Sequence, residues 1–309
     1  VVSPMLQRVK IKVPATTANL GPGFDCLGVA LNIWNEVEVG IGRPGINISG
    51  EGEDVLSHNS DNLVYRSIAY IFNEVGIKLP EIEISCSNTI PLARGLGSSS
   101  AAVVGGLVAA NTMLGHPLTN KDLLRLATNL EGHPDNVAAA LLGGCQLVVQ
   151  EADQLTTTSI TFSTLLRAVI FIPDVAMPTA QARSLLSPVI PRDDAIFNLS
   201  RLGLLVNAFI TDEFSDLKIA TQDRLHQPQR KILFPAMDLI FRSALKAGAL
   251  GVFLSGAGSS ILALTKDRET TIGYEMADIA EKAGVTGTFR ISDLSQIGAH
   301  LINANDFAG

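Results

Sequence analysis

Residues 91–102 read Pro-Leu-Ala-Arg-Gly-Leu-Gly-Ser-Ser-Ser-Ala-Ala, a glycine-rich turn running directly into three hydroxyls. The alternating segment Ile82-Glu-Ile-Ser-Cys86 precedes the turn and a small-residue apolar run over 101–113 follows it, so strand, turn and helix are imposed locally. Gly95 and Gly97 can take positive φ and leave no side chain in the way. The first free N–H groups of the helix and its dipole favour an anion at that end. Pro91, Arg94, Gly95, Leu96, Gly97, Ser98, Ser99, Ser100 and Ala101 are therefore the candidate phosphate-binding residues. The loop is not a Walker P-loop, which needs Gly-Lys-Ser/Thr, nor a dinucleotide fingerprint, which needs a third glycine where Ser100 stands. Gly97-Ser-Ser-Ser-Ala101 comes within one residue of a serine-hydrolase elbow and fails at Ala101.

Residues 95–120 carry no formal charge, which raises the question of a membrane span. Three serines, Gly105-Gly106 and Asn111 interrupt the run, and Leu114-Gly-His-Pro117 ends it short of the ~20 apolar residues a bilayer requires. A buried helix packed closely through Ala and Gly is expected instead.

The chain has 309 residues, more than one core usually serves, and two domains are expected, 1–165 and 166–309. The boundary falls at the end of the polar, β-branched stretch 156–164. Strands are predicted at 9–13, 33–41, 82–86, 145–150 and 168–173, with an apolar strand-turn-strand around 252–264. Helices are predicted at 62–75, 194–211, 235–247 and 272–283. Thr119-Asn-Lys-Asp122 reads as a capping box for a helix running to Glu131, with Gly132 as its stop. His133-Pro134 begins the next helix, because proline is favoured at the first helical position.

With 47% hydrophobic and 17% charged residues the chain is a folded α/β or α+β protein rather than a disordered one. A net charge of -7 offers no global field for nucleic acid. Cys26, Cys86 and Cys145 are odd in number and widely spaced, which points to reduced, mostly buried thiols and a cytoplasmic location. Val1-Val-Ser-Pro-Met5 has no charged n-region followed by an apolar h-region, so no secretory signal is expected there.

Three further segments accompany the loop: Asn19-Leu-Gly21-Pro-Gly23-Phe-Asp25-Cys-Leu-Gly28, Glu131-Gly-His133-Pro-Asp135-Asn136 and Ser255-Gly256-Ala257-Gly258. Together, and in this order, they resemble the motifs of the GHMP small-molecule kinases, and within that superfamily most closely its homoserine kinase family. The resemblance spans nearly the whole chain. It implies an α+β, two-domain architecture, with an N-terminal ribosomal-S5-like domain, a C-terminal ferredoxin-like domain and the active site between them. It also implies ATP and Mg²⁺, the phosphorylation of the side-chain hydroxyl of L-homoserine to O-phospho-L-homoserine on the way to threonine, and a homodimer.

By the same resemblance Ser99 and Glu131 hold the metal, with Ser98 as the competing serine. A hydroxyl and a single carboxylate suit an ion that keeps water and phosphate in its shell. The plain alternative for Glu131 is a solvated residue in the last turn of its helix. Homoserine is a zwitterion, so Asp25 and Asp135 are candidates for its ammonium group, while Arg183 and Arg230 match positions that grip its carboxylate. Either arginine could instead be a solvated surface residue. Asn19, His133 and Asn136 complete the hydrogen bonding, and Asn62 lies near the adenine, with a helix-entry role as its plain alternative. Asn136 and Arg183 are the catalytic candidates. Asn136 stands where some relatives carry an aspartate base, and a carboxamide cannot accept a proton at neutral pH, so positioning and charge stabilisation are expected to dominate.

Overall fold

The computed structural model describes residues 5–152 and 154–302. The leader-peptide question falls mostly on residues 1–4, outside that range.

A long antiparallel hairpin organises the first sheet: β1 (Arg8–Asn19) pairs β2 (Gly23–Ile41) from Arg8↔Gly40 to Asn19↔Gly23. Alternation at 33–41 marks only the far half of β2. In the near half, residues 27–31 are buried on both faces, so the polar-apolar alternation does not extend into it. One end of β2 pairs β4 (Ile82–Asn88), the other pairs β5 (Cys145–Glu151). The sheet is completed by β3 (Gly45–Gly50), parallel to β4, and β6 (Gln154–Ile160), antiparallel to β5.

Helices α1 (Leu63–Glu74), α2 (Ser98–Met113), α3 (Asn120–Glu131) and α4 (Asp135–Leu142) pack with this sheet. Asn62 caps α1 by accepting from Val64 N, and the Thr119/Asp122 capping box opens α3. Pro134 occupies the cap of α4 rather than its first helical position, so that helix starts one residue later than the proline rule predicts. In α2 a Cβ on Gly106 would lie 2.6 Å from Val64 O, so the missing side chain is what lets α1 approach. Among the described residues no helix is long and apolar enough to cross a membrane.

The second sheet has the order β10 (Gly287–Asp293), β7 (Arg167–Pro173), β9 (Ile261–Thr265), β8 (Gly251–Leu254), all antiparallel. Strands β7, β8 and β9 are apolar on both faces for a definite reason. Ala168, Ile170 and Ile172 of β7 join the core of the first sheet, while Val169 and Phe171 join a second core. That second core is closed by α9 (Met237–Ala247) and α10 (Glu269–Lys282). The two units are therefore packed through shared apolar surface, which contributes about 25 cal/mol per Å² buried.

Between β7 and α9 the chain forms α5 (Thr179–Ser184), α6 (Arg192–Thr211), α7 (Leu217–Ala220) and α8 (Gln227–Arg230). After β10 it returns to the first unit. Ser295 N donates to Ala30 O at 2.8 Å, and β11 (His300–Leu301) pairs β1.

Candidate active site

The glycine loop sits where the two units meet. Gly97 caps α2 at φ 70°, and the first helical bond runs from Ala101 N to Gly97 O at 2.8 Å. The N–H groups of Ser98, Ser99 and Ser100 thus lie ahead of the helical ladder, available to an anion. A Cβ on Gly97 would stand 1.9 Å from Thr16 Oγ1, and one on Gly95 would stand 2.1 Å from Ser255 O. The latter clash is with backbone, because the second glycine turn presses on the first: Ser255 Oγ donates to Gly95 O at 2.7 Å and Ser260 N donates to Arg94 O at 3.1 Å.

Facing the loop, Ser99 Oγ donates to Glu131 Oε2 at 2.9 Å. The Glu131 side chain is only 11% exposed, which removes the solvated alternative. Gly132, at φ 86°, stops α3 and turns the chain so that His133, Asp135 and Asn136 line the same cleft. Asp135, 2% exposed, accepts through Oδ1 from Asn136 N at 2.7 Å and from Asn136 Nδ2 at 3.2 Å. His133 Nδ1 lies 3.1 Å from the same oxygen. Burial opposes charging of His133, but the bond to Asp135 and the charges of Asp135 and Glu131 outweigh it, raising the imidazole above its ordinary pKa. Asn136 Oδ1 accepts from Thr16 Oγ1 at 2.8 Å, so both ends of the carboxamide are held.

Across the cleft, Asp25 and Arg183 form a two-point ion pair at 2.6 and 2.9 Å. Asp25 adopts φ 58° and Asn19 φ 71°; the Asn19 side chain spans both units, accepting from Asp25 N at 3.0 Å and donating to Gly256 O at 2.9 Å. Arg230 is 1% exposed and donates through Nη1 to Gly256 O at 2.9 Å. Burial, then the nearby Arg183 charge, lowers its guanidinium pKa to about 10. Two arginines that disfavour one another in a cleft hold positive charge that a bound anion would offset. Phe24 has the Arg183 guanidinium 5.6 Å and the Arg230 guanidinium 5.5 Å from its ring centre.

Asn19, Asp25, Pro91, Leu96, Arg183 and Arg230 all line this one cleft, with the loop glycines and serines, Glu131 and the 133–136 segment. Arg94 lines it too, but its guanidinium donates to the carbonyls of Leu92, Pro173 and Asp174. Asn62 and Ala101 line a neighbouring, more apolar pocket that shares Ala93, Ser98, Ser99 and Thr179 with the first. Thr16, Phe24, Thr179 and His226 are site residues that motif reading leaves without a role.

Two family models match the chain: "GHMP kinases N terminal domain" over 62–144 and "GHMP kinases C terminal" over 211–272. A homoserine kinase of Microchaete diplosiphon is 39% identical over 97% of this chain and 99% of its own length. Another, from Synechocystis sp., is 42% identical over 89% of this chain and 92% of its own. The crystal structure of a homoserine kinase from Cytophaga hutchinsonii superposes with TM-score 0.87 at 32% identity, covering 98% of this chain and 99% of that one. An L. major mevalonate kinase, at TM-score 0.71 and 14% identity over 96% of this chain and all of that one, shares the fold.

Proposed function

We infer the reaction from the premise that this chain belongs to the homoserine kinase family of the GHMP kinases. It transfers the γ-phosphoryl group of ATP to the side-chain hydroxyl of L-homoserine, giving O-phospho-L-homoserine for threonine synthesis. The observation that carries this for the chain's own residues is the single cleft in which an anion-binding helix start faces paired arginines and aspartates. A triphosphate and a zwitterion need those two halves side by side.

In this reading the N–H groups of residues 98–100 bind the phosphates, and the apolar pocket beside Asn62 takes the adenine. Ser99 and Glu131 suit Mg²⁺ chemically: two hard oxygens 2.9 Å apart beside the phosphate loop, leaving the rest of the shell to phosphate and water. Bound there, the ion would neutralise charge on the transferring phosphoryl group. Asp25 and Asp135 receive the homoserine ammonium, Arg183 and Arg230 its carboxylate. Asn136, held by Thr16 and Asp135, orients the hydroxyl. The hydroxyl oxygen forms its bond to phosphorus as the bond to ADP breaks, and the proton passes late to a phosphoryl oxygen. A rate for the chemical step that depends strongly on pH through one carboxylate would count against this order.

The ATP-binding unit is 1–165 and the unit supplying both arginines is 166–309, with the described segment after β10 crossing back to β1. A cytoplasmic location agrees with three unpaired thiols, and a homodimer with the exposed Ile196, Leu199 and Ile210 on α6. Light scattering would test the dimer. ADP release measured with homoserine, mevalonate, shikimate and sugars tests the substrate: turnover should be confined to homoserine, and turnover of another alcohol in its place would overturn the assignment.

A further inference from the structure

His226 is fully buried immediately before α8, four residues from Arg230. Its Nε2 lies 2.8 Å from Gly21 O, and Arg230 Nη1 lies 2.9 Å from its Nδ1. A guanidinium has no acceptor, so Nδ1 must carry the lone pair and Nε2 the proton. The imidazole is thus neutral, and its tautomer is set by its two neighbours. Phe24 stacks on the ring at 5.3 Å. Asp223 pins the backbone beneath it, accepting from His226 N at 3.0 Å and Gln227 N at 2.7 Å.

Arg230 spends Nη1 on His226 Nδ1 and Gly256 O, while its Nε is buried with no hydrogen-bond partner. The edge left for an anion is therefore Nε with Nη2, one of the two geometries in which a guanidinium meets a carboxylate through parallel bonds. Gly21 belongs to the hairpin turn that carries Asn19 and Asp25. His226 is accordingly the hydrogen-bonded link between the residue assigned to the substrate carboxylate and the turn assigned to its ammonium.

We propose that His226 is a positioning residue for homoserine recognition: held between Gly21 O and Arg230 Nη1, it sets the roll of the Arg230 guanidinium and the spacing of its Nε–Nη2 edge from Asp25. The enzyme then reads the separation of ammonium and carboxylate in an α-amino acid. This rests on the assignment of Arg230 to the carboxylate.

The test compares kcat/KM for L-homoserine with that for 3-aminopropan-1-ol, which keeps the ammonium and hydroxyl but lacks the carboxylate. His226→Gln keeps a donor for Gly21 O but moves its acceptor away from the Nδ1 position that Arg230 Nη1 meets; it should lower the preference for homoserine about tenfold, the worth of one oriented hydrogen bond. The KM for ATP should stay near wild type. His226→Asn, whose Oδ1 replaces Nδ1, should restore most of the preference. Equal preference in wild type and His226→Gln would overturn the proposal, as would equal losses in both variants accompanied by weaker ATP binding. Arg230→Ala separates the underlying assignment: if it leaves the preference intact, Arg230 does not read the carboxylate. If it abolishes the preference while His226→Gln does not, only the role of His226 fails.

Discussion

Asp25 and Arg183 hold each other through two parallel hydrogen bonds across the cleft, one from each unit of the fold. The proposed receptors for the ammonium and the carboxylate of homoserine thus satisfy one another, and a zwitterion can replace each half by its own opposite charge. Both side chains are about one-third exposed, so the pair itself adds little to stability, and its value is in orientation.

Arg183→Lys should separate these roles. A lysine keeps the charge but offers a point instead of a planar fork. Loss of one charge-assisted bond, about 2 kcal/mol, lowers kcat/KM for homoserine about thirtyfold. The KM for ATP should stay within about twofold. Steady-state kinetics with each substrate varied checks this, and an equal rise in both KM values would contradict it.

Glu131→Gln keeps a partner for Ser99 Oγ but removes the carboxylate beside the phosphate loop. If that carboxylate holds the metal, the Mg²⁺ concentration for half-maximal rate should rise about tenfold or more, with melting temperature little changed. A Mg²⁺ titration that superposes on wild type would remove Glu131 from the metal site.

Gly95→Ala places a methyl group 2.1 Å from Ser255 O at φ 71°, a clash with backbone that cannot rotate away. Strain of roughly 1–3 kcal/mol, with added cost from overpacking, is expected to loosen the contact between the two glycine turns. Thermal unfolding should shift down by several degrees and the KM for ATP should rise. An unchanged melting temperature would mean that the turns yield easily.

Burial is the main cause that pushes His226 down to about 4. With the native pKa below the unfolded value near 6.5, the unfolded chain takes up a proton in acid that the native protein refuses. The stability is present in full above pH 6.5 and is lost as pH falls toward 4, by about 2 kcal/mol at pH 5. Urea unfolding at pH 7 and pH 5 should show a larger loss in wild type than in His226→Gln, which has no such group to titrate.

Much of the fold was legible because its signals are local. The Asn62 cap, the Thr119/Asp122 box and the Gly132 stop each depend on hydrogen bonds among a few successive residues. Short elements such as β3, α5, α7, α8 and β11 have no comparable signal; they exist because distant segments supply their partners or cover them. Residues 27–31 of β2 escaped for a related reason, since burial on both faces erases alternation.

The amino-acid order alone determined the glycine turn at the start of α2, because Gly95, Gly97 and the helix start are contiguous, and it carried the motifs that mark the family. The motif resemblance already pointed to Ser99 beside Glu131, but only the tertiary structure brings those two side chains into contact, pairs Asp25 with Arg183, and sets His226 rather than solvent against Arg230. The first two contacts join residues 32 and 158 positions apart, and the third needs a ring buried against Phe24 and Gly21. Residue type supplies the chemistry of each group, but the direction of a side chain and the loss of its water are set only when the two units close on one another.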